Sequence, residues 1–585
     1  MDSLSSYAPP LFKGLKCWPK SFLLNYPAAK NYNRFTGPAC EPRKNKKEGQ
    51  NIFDLTILGG RVIDGTGQPE RKADVGIKGD RIVHVGQISK GEAYREISAA
   101  GAVVTPGFID THSHSDIMAL VEPELLPKIR QGITTELLGQ DGIGPAPIQP
   151  QYSRQWRQYM AGLSGDPPVS WDWETLGQYA ERLAAVQPGP NLALLVPHGN
   201  VRMVVMGLEN RPADSTQIQA MEDQVRQAME EGAAGISLGM VYLPCTFARR
   251  DELVKLIQTS GRMGGFWAVH IRSGGDLLLE SIEEVISIAG EADIPLHISH
   301  FKASGKRNWP KMEPALAIVE KARLAGLDIT FDIYPYTAGS TMFLAVLPPW
   351  ALEGGVPRML QRLRDPSLCN RIKEQLDNPP PPEPGGPSWE NYVNYAGWEN
   401  IVLSSVESKK NQSWVGKSIA EIARGQRKDP ADMALDILLA EEGRVGMILF
   451  SMDEEKMVLG LGHPQGMICT DGLLGGRPHP RVYGAFPRVL GRYVREKKVM
   501  SLEEAIRKMT SLPARRLGLK DRGVLAEGKA ADLVVFDPDR VLDLATYENP
   551  RQYPAGIWNV IVNGVLTVDN GQYTGQRGGR VLRKA

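Results

Sequence analysis

The chain has 585 residues, of which 42% are hydrophobic and 23% charged, and its formal net charge is +1. Because a single hydrophobic core stops growing at roughly 250–300 residues, this length predicts two or more structural units. The balanced charge excludes the strongly basic proteins that nucleic acids or acidic membrane surfaces attract, and no apolar run approaches the ~18–20 residues that span a bilayer.

The cysteine pattern indicates a reducing compartment. The five cysteines are scattered along the chain, and no two of them form a Cys-x-x-Cys pair. An odd, scattered set argues against a disulfide framework and against a structural zinc ribbon. We therefore predict a cytoplasmic protein.

The first 51 residues differ in composition from the rest of the chain. They are rich in Pro, Asn, Lys and Tyr and include a basic stretch at residues 43–48. They lack the apolar core, roughly 7–15 residues long, of a secretory signal. This composition predicts a disordered or loosely attached extension over residues 1–51, with an organelle transit peptide as the alternative.

The residues that follow this extension and the C-terminal end of the chain both have the sequence pattern of short β-strands. Near the start, four β-branched runs are bounded by Gly or Asp, as in hairpins: residues 54–58, 61–64, 73–77 and 81–85. Similar runs return at residues 531–538 and 560–568, the second with an Asn-Gly hairpin turn. We predict one small β-sandwich domain assembled from residues 52–105 and 516–585.

The middle of the chain alternates strands with helices. Apolar strand-like runs occur at residues 108–110, 134–138, 192–196, 235–238, 266–270, 296–300, 329–333 and 467–469. Stretches of helical periodicity lie between them, for example at residues 215–231, 279–289 and 313–325. Parallel strands need such crossovers, and eight strand–helix units are typical of the α/β fold called the (β/α)₈ or TIM barrel. We predict this barrel over residues 106–515.

One gap interrupts the alternation between the seventh and the eighth strand. It contains a run of four prolines at residues 379–382 and the motif Trp-Glu-Asn-Tyr at residues 389–392. We predict an insertion over about residues 345–450. Two interpretations stay open: the insertion covers the mouth of the barrel, or it decorates the surface without contacting substrate.

The strongest local signal is Gly-Phe-Ile-Asp-Thr-His-Ser-His-Ser-Asp at residues 107–116. His112 and His114 are two residues apart at a strand end, so the period of two puts both imidazoles on one face, where they can share a metal ion. The alternative is a polar strand end satisfied by hydrogen bonds. The preceding Pro-Gly-Phe-Ile-Asp resembles the opening of the barrel in the amidohydrolase superfamily.

This resemblance implies further metal ligands at the carboxyl ends of later strands. The positions that match are His270 on the fifth strand, His300 on the sixth and Asp471 on the eighth. The chain has only nine histidines, and four of them fall at the required strand ends. Active-site groups of this barrel lie at that face. The resemblance implies Zn²⁺ as the cofactor, with one or two ions per chain.

Asp141 follows the second strand, in Gly-Gln-Asp-Gly-Ile-Gly. In the D-aminoacylases this turn often carries a cysteine that holds the metal. A carboxylate can also bind zinc, at about 2.0–2.2 Å, so we predict Asp141 as a ligand. The alternative is an Asx-type turn residue, a role that suits Asp before Gly.

The mechanism implied by these groups is hydrolysis by a metal-activated water. Zinc lowers the pKa of a bound water to about 7 and polarises the scissile carbonyl. Asp471 is then the catalytic residue, a general base that takes the proton from the water and passes it to the leaving amine. The alternative, which does not exclude the first, is that Asp471 only binds the metal.

Three further motifs resemble the N-acyl-D-amino-acid deacylases, or D-aminoacylases, more closely than the superfamily at large. They are residues 332–340, residues 479–490 and the tail from residue 545 to residue 582. The resemblance covers about residues 52–585 and implies a small N-acyl amino acid as the substrate. It implies Arg481 as a bidentate clamp for the substrate carboxylate. It also implies substrate contacts from Lys302, Tyr334, Ser340 and Tyr242.

Two competing functions remain open. A cyclic amidase of the hydantoinase or dihydropyrimidinase type uses the same barrel, but it usually needs a carboxylated lysine at a strand end where this chain has none. A catalytically inactive scaffold is the second alternative, and the presence of all five superfamily ligands argues against it. The preferred acyl group and side chain, the number of metal ions and the oligomeric state are not determined by the sequence.

Overall fold

The computed structural model describes residues 53–380 and 389–584. The extension predicted for residues 1–51 therefore lies outside the described residues. Within the described part of the chain, no helix combines the length and the apolar character needed to cross a bilayer.

A small β-domain forms from both ends of the described chain. Its sheet has nine strands: Phe53–Val62, Arg71–Lys78, Arg81–Gly86, Ala93–Ser98, Val103–Pro106, Leu533–Phe536, Ile557–Val562, Val565–Asp569 and Gln572–Tyr573. The strand Val103–Pro106 joins the two ends, because it pairs in parallel with Phe53–Val62 and antiparallel with Leu533–Phe536. Side chains from both ends share one apolar core that includes Ile57, Val75 and Val535.

The middle of the chain forms the predicted (β/α)₈ barrel. Its strands are Phe108–Asp110, Ile133–Leu138, Asn191–Leu194, Gly235–Gly239, Phe266–His270, Leu296–Ile298, Ile329–Ile333 and Gly466–Ile468. The first three strands pair in parallel, as do the fourth to the eighth. The short strand Val196–Pro197, just after the third, pairs in parallel with the fourth, and a parallel bridge between Ser113 and Gly472 joins the ends of the first and the eighth. Every residue of the second strand, Ile133–Leu138, is buried. Such continuous burial is expected where helices cover one face of a parallel sheet and side chains fill the barrel on the other.

The helices of the barrel follow its strands. They span Met118–Val121, Leu126–Ile129, Pro150–Ser164, Leu176–Ala185, His198–Met206, Ser215–Glu230, Arg250–Arg262, Leu278–Ala292, Met312–Leu324, Glu454–Gly462, Arg481–Arg488, Leu502–Met509 and Ser511–Arg516. Ser215–Glu230 shows why such segments are helical. Asp214 forms a capping box with Gln217, and Ile218, Met221 and Val225 bury one face.

The insertion, predicted over about residues 345–450, contains a sheet whose first strand already begins at Ala338. Its strands Ala338–Met342, Ile401–Ser405 and Gly446–Phe450 form a separate antiparallel sheet with Gly446–Phe450 in the centre. Its helices are Pro349–Leu352, Val356–Arg362, Pro366–Asp377, Tyr392–Ala396, Ile419–Gln426 and Pro430–Ala440. The prediction missed the first strand because Ala338–Met342 follows the seventh barrel strand after only four residues.

The last described strand, Val581–Leu582, differs from its predicted place in the β-domain. It pairs in parallel with the third barrel strand at Leu192 and Ala193. The backbone N–H of Lys584 also donates to the carbonyl of Gly232, just before the fourth barrel strand, at 3.0 Å. The end of the described chain is therefore part of the barrel wall.

Candidate active site

Six predicted metal ligands converge at the carboxyl end of the barrel. His112 and His114 follow the first strand, Asp141 the second, His270 ends the fifth, His300 follows the sixth and Asp471 the eighth. All six residues are buried, with whole-residue exposures of 6% or less. Asp141, His300 and Asp471 have positive φ angles of 58°, 38° and 46°. Such backbone conformations are uncommon for residues other than glycine and cluster at functional sites.

The ligand atoms form two neighbouring groups, and Asp141 contacts both of them. In the first group, His114 Nε2 lies 3.3 Å from His112 Nε2 and 3.3 Å from Asp471 Oδ1. The second group consists of His270 and His300. Asp141 lies between the groups. Its Oδ1 is 3.6 Å from His112 Nε2 and 3.8 Å from both His270 Nδ1 and His300 Nε2, and its Oδ2 is 3.6 Å from His114 Nε2.

These distances fit a metal centre. Two donors bound to one tetrahedral zinc ion at 2.0–2.1 Å lie about 3.4 Å apart, close to the separations found here. Asp141 Oδ1 and His270 Nδ1, both in the cluster, are buried and have no hydrogen-bond partner. Buried polar atoms are normally satisfied, so these atoms indicate a missing positive partner. Donors from His112, His114 and Asp471, and from His112, Asp141 and His300, each lie within 4.8 Å of one another.

Mutual attraction sets the ionisation of this cluster. Burial alone would raise the pKa of Asp471, but Arg481 and His112 bring it down to about 2. Burial opposes the charge of His112 as well, but Asp141 and Asp471 raise its pKa to about 9. Burial would also raise the pKa of Asp141, but His112 and His270 hold this pKa well below its usual value. Both carboxylates are therefore ionised at neutral pH.

The loop that carries Asp141 is held from both sides. Ser237 Oγ accepts a hydrogen bond from the Gly142 N–H at 3.1 Å and donates to the Gly139 carbonyl at 2.5 Å. The Gly199 N–H donates to the Gly142 carbonyl at 2.9 Å. A side chain at Gly239 would meet the Asp141 carbonyl at 2.2 Å, so only glycine fits there. The loop therefore presents the Asp141 carboxylate in a fixed position.

Asp332 supports the cluster, a role that the sequence did not indicate. It lies on the seventh strand and is fully buried. Its Oδ1 accepts the His300 N–H at 2.5 Å, and its Oδ2 lies 2.9 Å from His297 Nε2 and 3.9 Å from His112 Nδ1. His297 therefore orients the Asp332 carboxylate, which lies behind the proposed ligands His112 and His300. A carboxylate inside an otherwise apolar strand was the available signal.

Lys128 closes the barrel between its first and last strands and was also missed. Its buried ammonium donates to Asp110 at 2.9 Å, to Ser113 at 2.7 Å and to Thr470 at 2.8 Å, and it lies 3.1 Å from Glu136. Asp110 also accepts the Thr470 N–H at 2.9 Å. These bonds fix the segment before Asp471 against the segment that carries the two histidines.

A cavity borders the metal-ligand cluster, and four of the five predicted substrate residues line it: Lys302, Tyr334, Ser340 and Tyr242. Lys302 Nζ lies 2.8 Å from His300 Nδ1. The Tyr242 hydroxyl pairs with Thr341 Oγ1 at 2.8 Å. Ser340 Oγ donates to the Met447 carbonyl at 2.9 Å. Their substrate contacts stay predictions.

Arg481, the predicted clamp, is not among the residues that line this cavity. It is fully buried and stacks over the Tyr334 ring at 4.4 Å. Its Nη1 lies 3.0 Å from Asp471 Oδ2, and its Nη2 donates to the Ser340 carbonyl at 3.0 Å. His479 Nδ1 accepts the backbone N–H of Arg481 at 3.0 Å. The arginine is thus placed to orient Asp471, and its contact with a substrate carboxylate stays a prediction.

The insertion contacts the candidate site, which decides between the two interpretations left open above. Tyr392 and Leu449 line the same cavity as the ligands. Glu390 is buried beside them and accepts the Gly274 N–H at 2.7 Å. The insertion therefore covers the mouth of the barrel, and its contribution was invisible in the sequence because these contacts join segments more than 100 residues apart.

Comparison with known proteins identifies the family. The amidohydrolase family matches residues 95–367 and 474–568. D-aminoacylase of Alcaligenes xylosoxydans xylosoxydans is 36% identical over 542 residues, which cover 91% of this chain and 98% of the relative. N-acyl-D-glutamate deacylase of the same organism is 36% identical, with coverages of 92% and 97%.

A solved structure agrees with the sequence relatives. N-acyl-D-glutamate deacylase of Bordetella bronchiseptica, complexed with zinc and a phosphonate inhibitor that mimics the tetrahedral intermediate, has a TM-score of 0.77 to this chain. The two are 32% identical, and the alignment covers 91% of this chain and 100% of that one. The chain therefore belongs to the amidohydrolase family and, within it, to the D-aminoacylases.

Proposed function

We propose that this protein hydrolyses the amide bond of N-acyl-D-amino acids and releases a carboxylate and a free D-amino acid. The observation that carries the proposal is the cluster of four histidines and two aspartates at the mouth of the barrel. Its donor atoms have the separations of a metal centre, and a cavity borders it. Relatives that span nearly the whole chain are deacylases of this class.

The cluster would hold Zn²⁺ through His112, His114, His270, His300, Asp141 and Asp471. Bound zinc supplies a water of lowered pKa, about 7, and polarises a carbonyl oxygen. The buried atoms Asp141 Oδ1 and His270 Nδ1, which have no hydrogen-bond partner, support this assignment. Asp332 and His297 hold the surrounding ligands in position.

Asp471 moves the proton. Its carboxylate accepts a proton from the attacking water, whose oxygen adds to the amide carbon. When the C–N bond breaks, the proton passes to the departing nitrogen, which leaves as the free amine. Arg481 keeps Asp471 ionised and oriented through the 3.0 Å contact. Atoms and charge balance, since one water and one amide give one carboxylate and one amino acid.

The substrate is a small molecule in the cavity bordered by Lys302, Tyr334, Ser340 and Tyr242. Cationic and hydroxyl groups suit the α-carboxylate and the amide oxygen of an N-acyl amino acid. The cyclic amidase is disfavoured because Asp141 stands between the two histidine groups where a carboxylated lysine would be needed. The cytoplasmic location and the domain boundaries stay predictions.

Metal removal tests the proposal directly. We expect the purified protein to contain one or two zinc ions and to release amino acid from an N-acetyl-D-amino-acid panel. Chelation should reduce the rate at least 100-fold, and added zinc should restore it. L-enantiomers should react at least 100-fold more slowly. Full activity after removal of the metal, or equal rates for the two enantiomers, contradicts the proposal.

Arg481→Lys separates two roles of the guanidinium. A clamp for the substrate carboxylate predicts a KM at least 10-fold higher for N-acetyl-D-amino acids and little change for the corresponding carboxamides. Orientation of Asp471 predicts a lower kcat for both substrates. Arg488→Lys is the matched control, since Arg488 pairs with Asp543 at 2.9 Å and stacks on Tyr336 at 4.6 Å. If Arg481→Lys alters neither constant, both roles are wrong.

A further inference from the structure

A second cavity lies beside the metal-ligand cavity. Tyr242 and Tyr392 line both cavities and therefore lie at the boundary between them. Tyr242 follows the fourth barrel strand, whereas Tyr392 and the nearby Trp389 and Glu390 belong to the insertion. Glu390 is the one charged residue among the described residues that line this second cavity. The barrel and the insertion thus enclose a single acidic group next to the candidate active site.

The rest of the lining suits a cation. Four of the lining residues are aromatic, namely Tyr159, Tyr242, Trp389 and Tyr392, and most of the others are aliphatic. The Tyr159 hydroxyl accepts the Leu243 N–H at 3.0 Å, which fixes this ring against the loop that carries Tyr242. Aromatic rings attract cations through the negative potential of their faces, and clusters of such rings bind ammonium groups. An aromatic lining beside one carboxylate therefore indicates a site for a positively charged group.

Glu390 is a buried carboxylate whose hydrogen-bond donors are neutral. The residue is only 5% exposed, and its Oε1 accepts the Gly274 N–H at 2.7 Å. Tyr392 and Tyr395 also form hydrogen bonds with this carboxylate. These contacts fix its position but supply no positive charge. Within the described part of the chain, no lysine, arginine or histidine forms an ion pair with Glu390, although buried carboxylates are usually paired.

The nearby cations do not compensate this burial. Burial raises the pKa of Glu390, and the opposing attraction of His270 and Lys302 is too weak to restore its usual value. The Lys302 ammonium lies 2.8 Å from His300 Nδ1 and makes no ion pair with Glu390. A cation that enters the cavity would therefore stabilise the ionised carboxylate.

The size of the cavity limits what this cation can be. Its free space is about 10 Å³, which is enough for one group of the size of a water molecule. A primary ammonium is close to this size. The methylene groups that carry such an ammonium would remain on the side of the metal-ligand cavity, across the boundary formed by Tyr242 and Tyr392.

We propose that the second cavity binds a primary ammonium at the end of one arm of the substrate, next to Glu390, so that cationic N-acyl-D-amino acids are preferred over neutral and acidic ones. The substrate has two arms that can carry this ammonium, namely the amino-acid side chain and the acyl group, and the experiment distinguishes them. The inference rests on the function proposed above and adds the charge of the preferred substrate and the residue that selects it.

The test compares kcat/KM of the zinc-loaded, full-length enzyme for two matched pairs of substrates. Nα-acetyl-D-lysine and Nα-acetyl-D-norleucine differ only by an ammonium on the side chain. N-(ω-aminopentanoyl)-D-norleucine and N-pentanoyl-D-norleucine differ only by an ammonium on the acyl group. We expect the cationic member of one pair to have a kcat/KM at least 10-fold higher than its neutral counterpart. Nα-acetyl-D-glutamate should react at least 100-fold more slowly than this preferred substrate, because a second carboxylate would approach Glu390.

Glu390→Gln makes the result specific. Glutamine keeps the size of the side chain and an oxygen that can accept the Gly274 N–H, but it removes the negative charge. The ratio of kcat/KM between the cationic substrate and its neutral counterpart should fall to about one, whereas the value for the neutral substrate should change by less than about twofold. Glu407→Gln is the matched control, because Glu407 lies in the same insertion and lines a different cavity. It should keep the wild-type ratio.

Equal constants within both pairs, or an unchanged ratio in folded Glu390→Gln, would overturn the inference. Circular dichroism and the melting temperature establish that each variant is folded. If the wild type releases no amino acid, calorimetric titration with the same four compounds gives their Kd values instead. Tighter binding of a cationic compound without turnover refutes the proposed function and leaves this inference intact. Turnover without any preference for a cation has the opposite meaning.

Discussion

Asp471→Asn is expected to lower kcat for N-acetyl-D-amino acids by about 10²–10⁴-fold, the usual contribution of a general acid–base residue. Asparagine keeps the size and one oxygen of the side chain but cannot accept the proton of the attacking water. The 3.0 Å attraction to Arg481 would also lose its charge. Steady-state kinetics should show the loss mainly in kcat, and elemental analysis should show how much metal is retained.

Asp453→Asn is the matched control for this experiment. Asp453 borders a cavity next to the site and caps the helix Glu454–Gly462 through the Lys456 N–H, a role that asparagine fills equally well. We expect its kinetics to remain within a factor of two or so of the wild type. If Asp471→Asn retains its metal and more than a tenth of the wild-type kcat, Asp471 is not the proton acceptor.

Lys128→Met is expected to destabilise the protein by about 3–5 kcal/mol, because removing one member of a buried ion pair leaves the others uncompensated. The carboxylates that would lose their counter-ion are those of Asp110 and Glu136. Both are fully buried and lie 2.9 Å and 3.1 Å from the ammonium. Denaturant unfolding followed by far-ultraviolet circular dichroism would measure the change. Because these bonds hold Thr470 beside Asp471, kcat should fall as well.

Lys456→Met is the comparison variant for stability. Lys456 pairs with Glu313 at the surface, where that carboxylate is 51% exposed, so solvent screening should leave the pair little effect on stability. Equal unfolding midpoints for the two variants would show that the buried cluster does not stabilise the barrel. Lys128→Met combined with Asp110→Asn should recover part of the loss, because it removes one uncompensated charge.

The barrel was predictable because its signals are local. Strand runs such as residues 266–270 and 329–333 are buried on both faces and therefore read as continuous apolar segments. The helix predicted at residues 215–231 was confirmed at Ser215–Glu230 through its amphipathic period. His112 and His114 were equally visible, since a period of two fixes their common face.

The supporting groups were not predictable, for a physical reason. Lys128 and Asp332 act through contacts with residues up to 342 positions away, and their own sequence neighbourhood does not reveal these partners. Tyr392 and Leu449 reach the cavity only because a three-stranded sheet returns the insertion to the barrel mouth. Local sequence patterns predict individual helices and strands. Contacts between distant residues form only when these helices and strands pack together.

The strand Val581–Leu582 has a consequence for biosynthesis. It pairs with the third barrel strand across nearly 400 residues, since Val581 lies opposite Leu192. The β-domain likewise needs Leu533–Phe536 beside Val103–Pro106 before its sheet is continuous. The ribosome synthesises the early strands long before their C-terminal partners. Pairing between strands that are so far apart in sequence is slow. During synthesis the third barrel strand therefore lacks its partner Val581–Leu582 and stays unpaired on one side. We expect chaperones that bind apolar strands to associate with the nascent chain until synthesis is nearly complete.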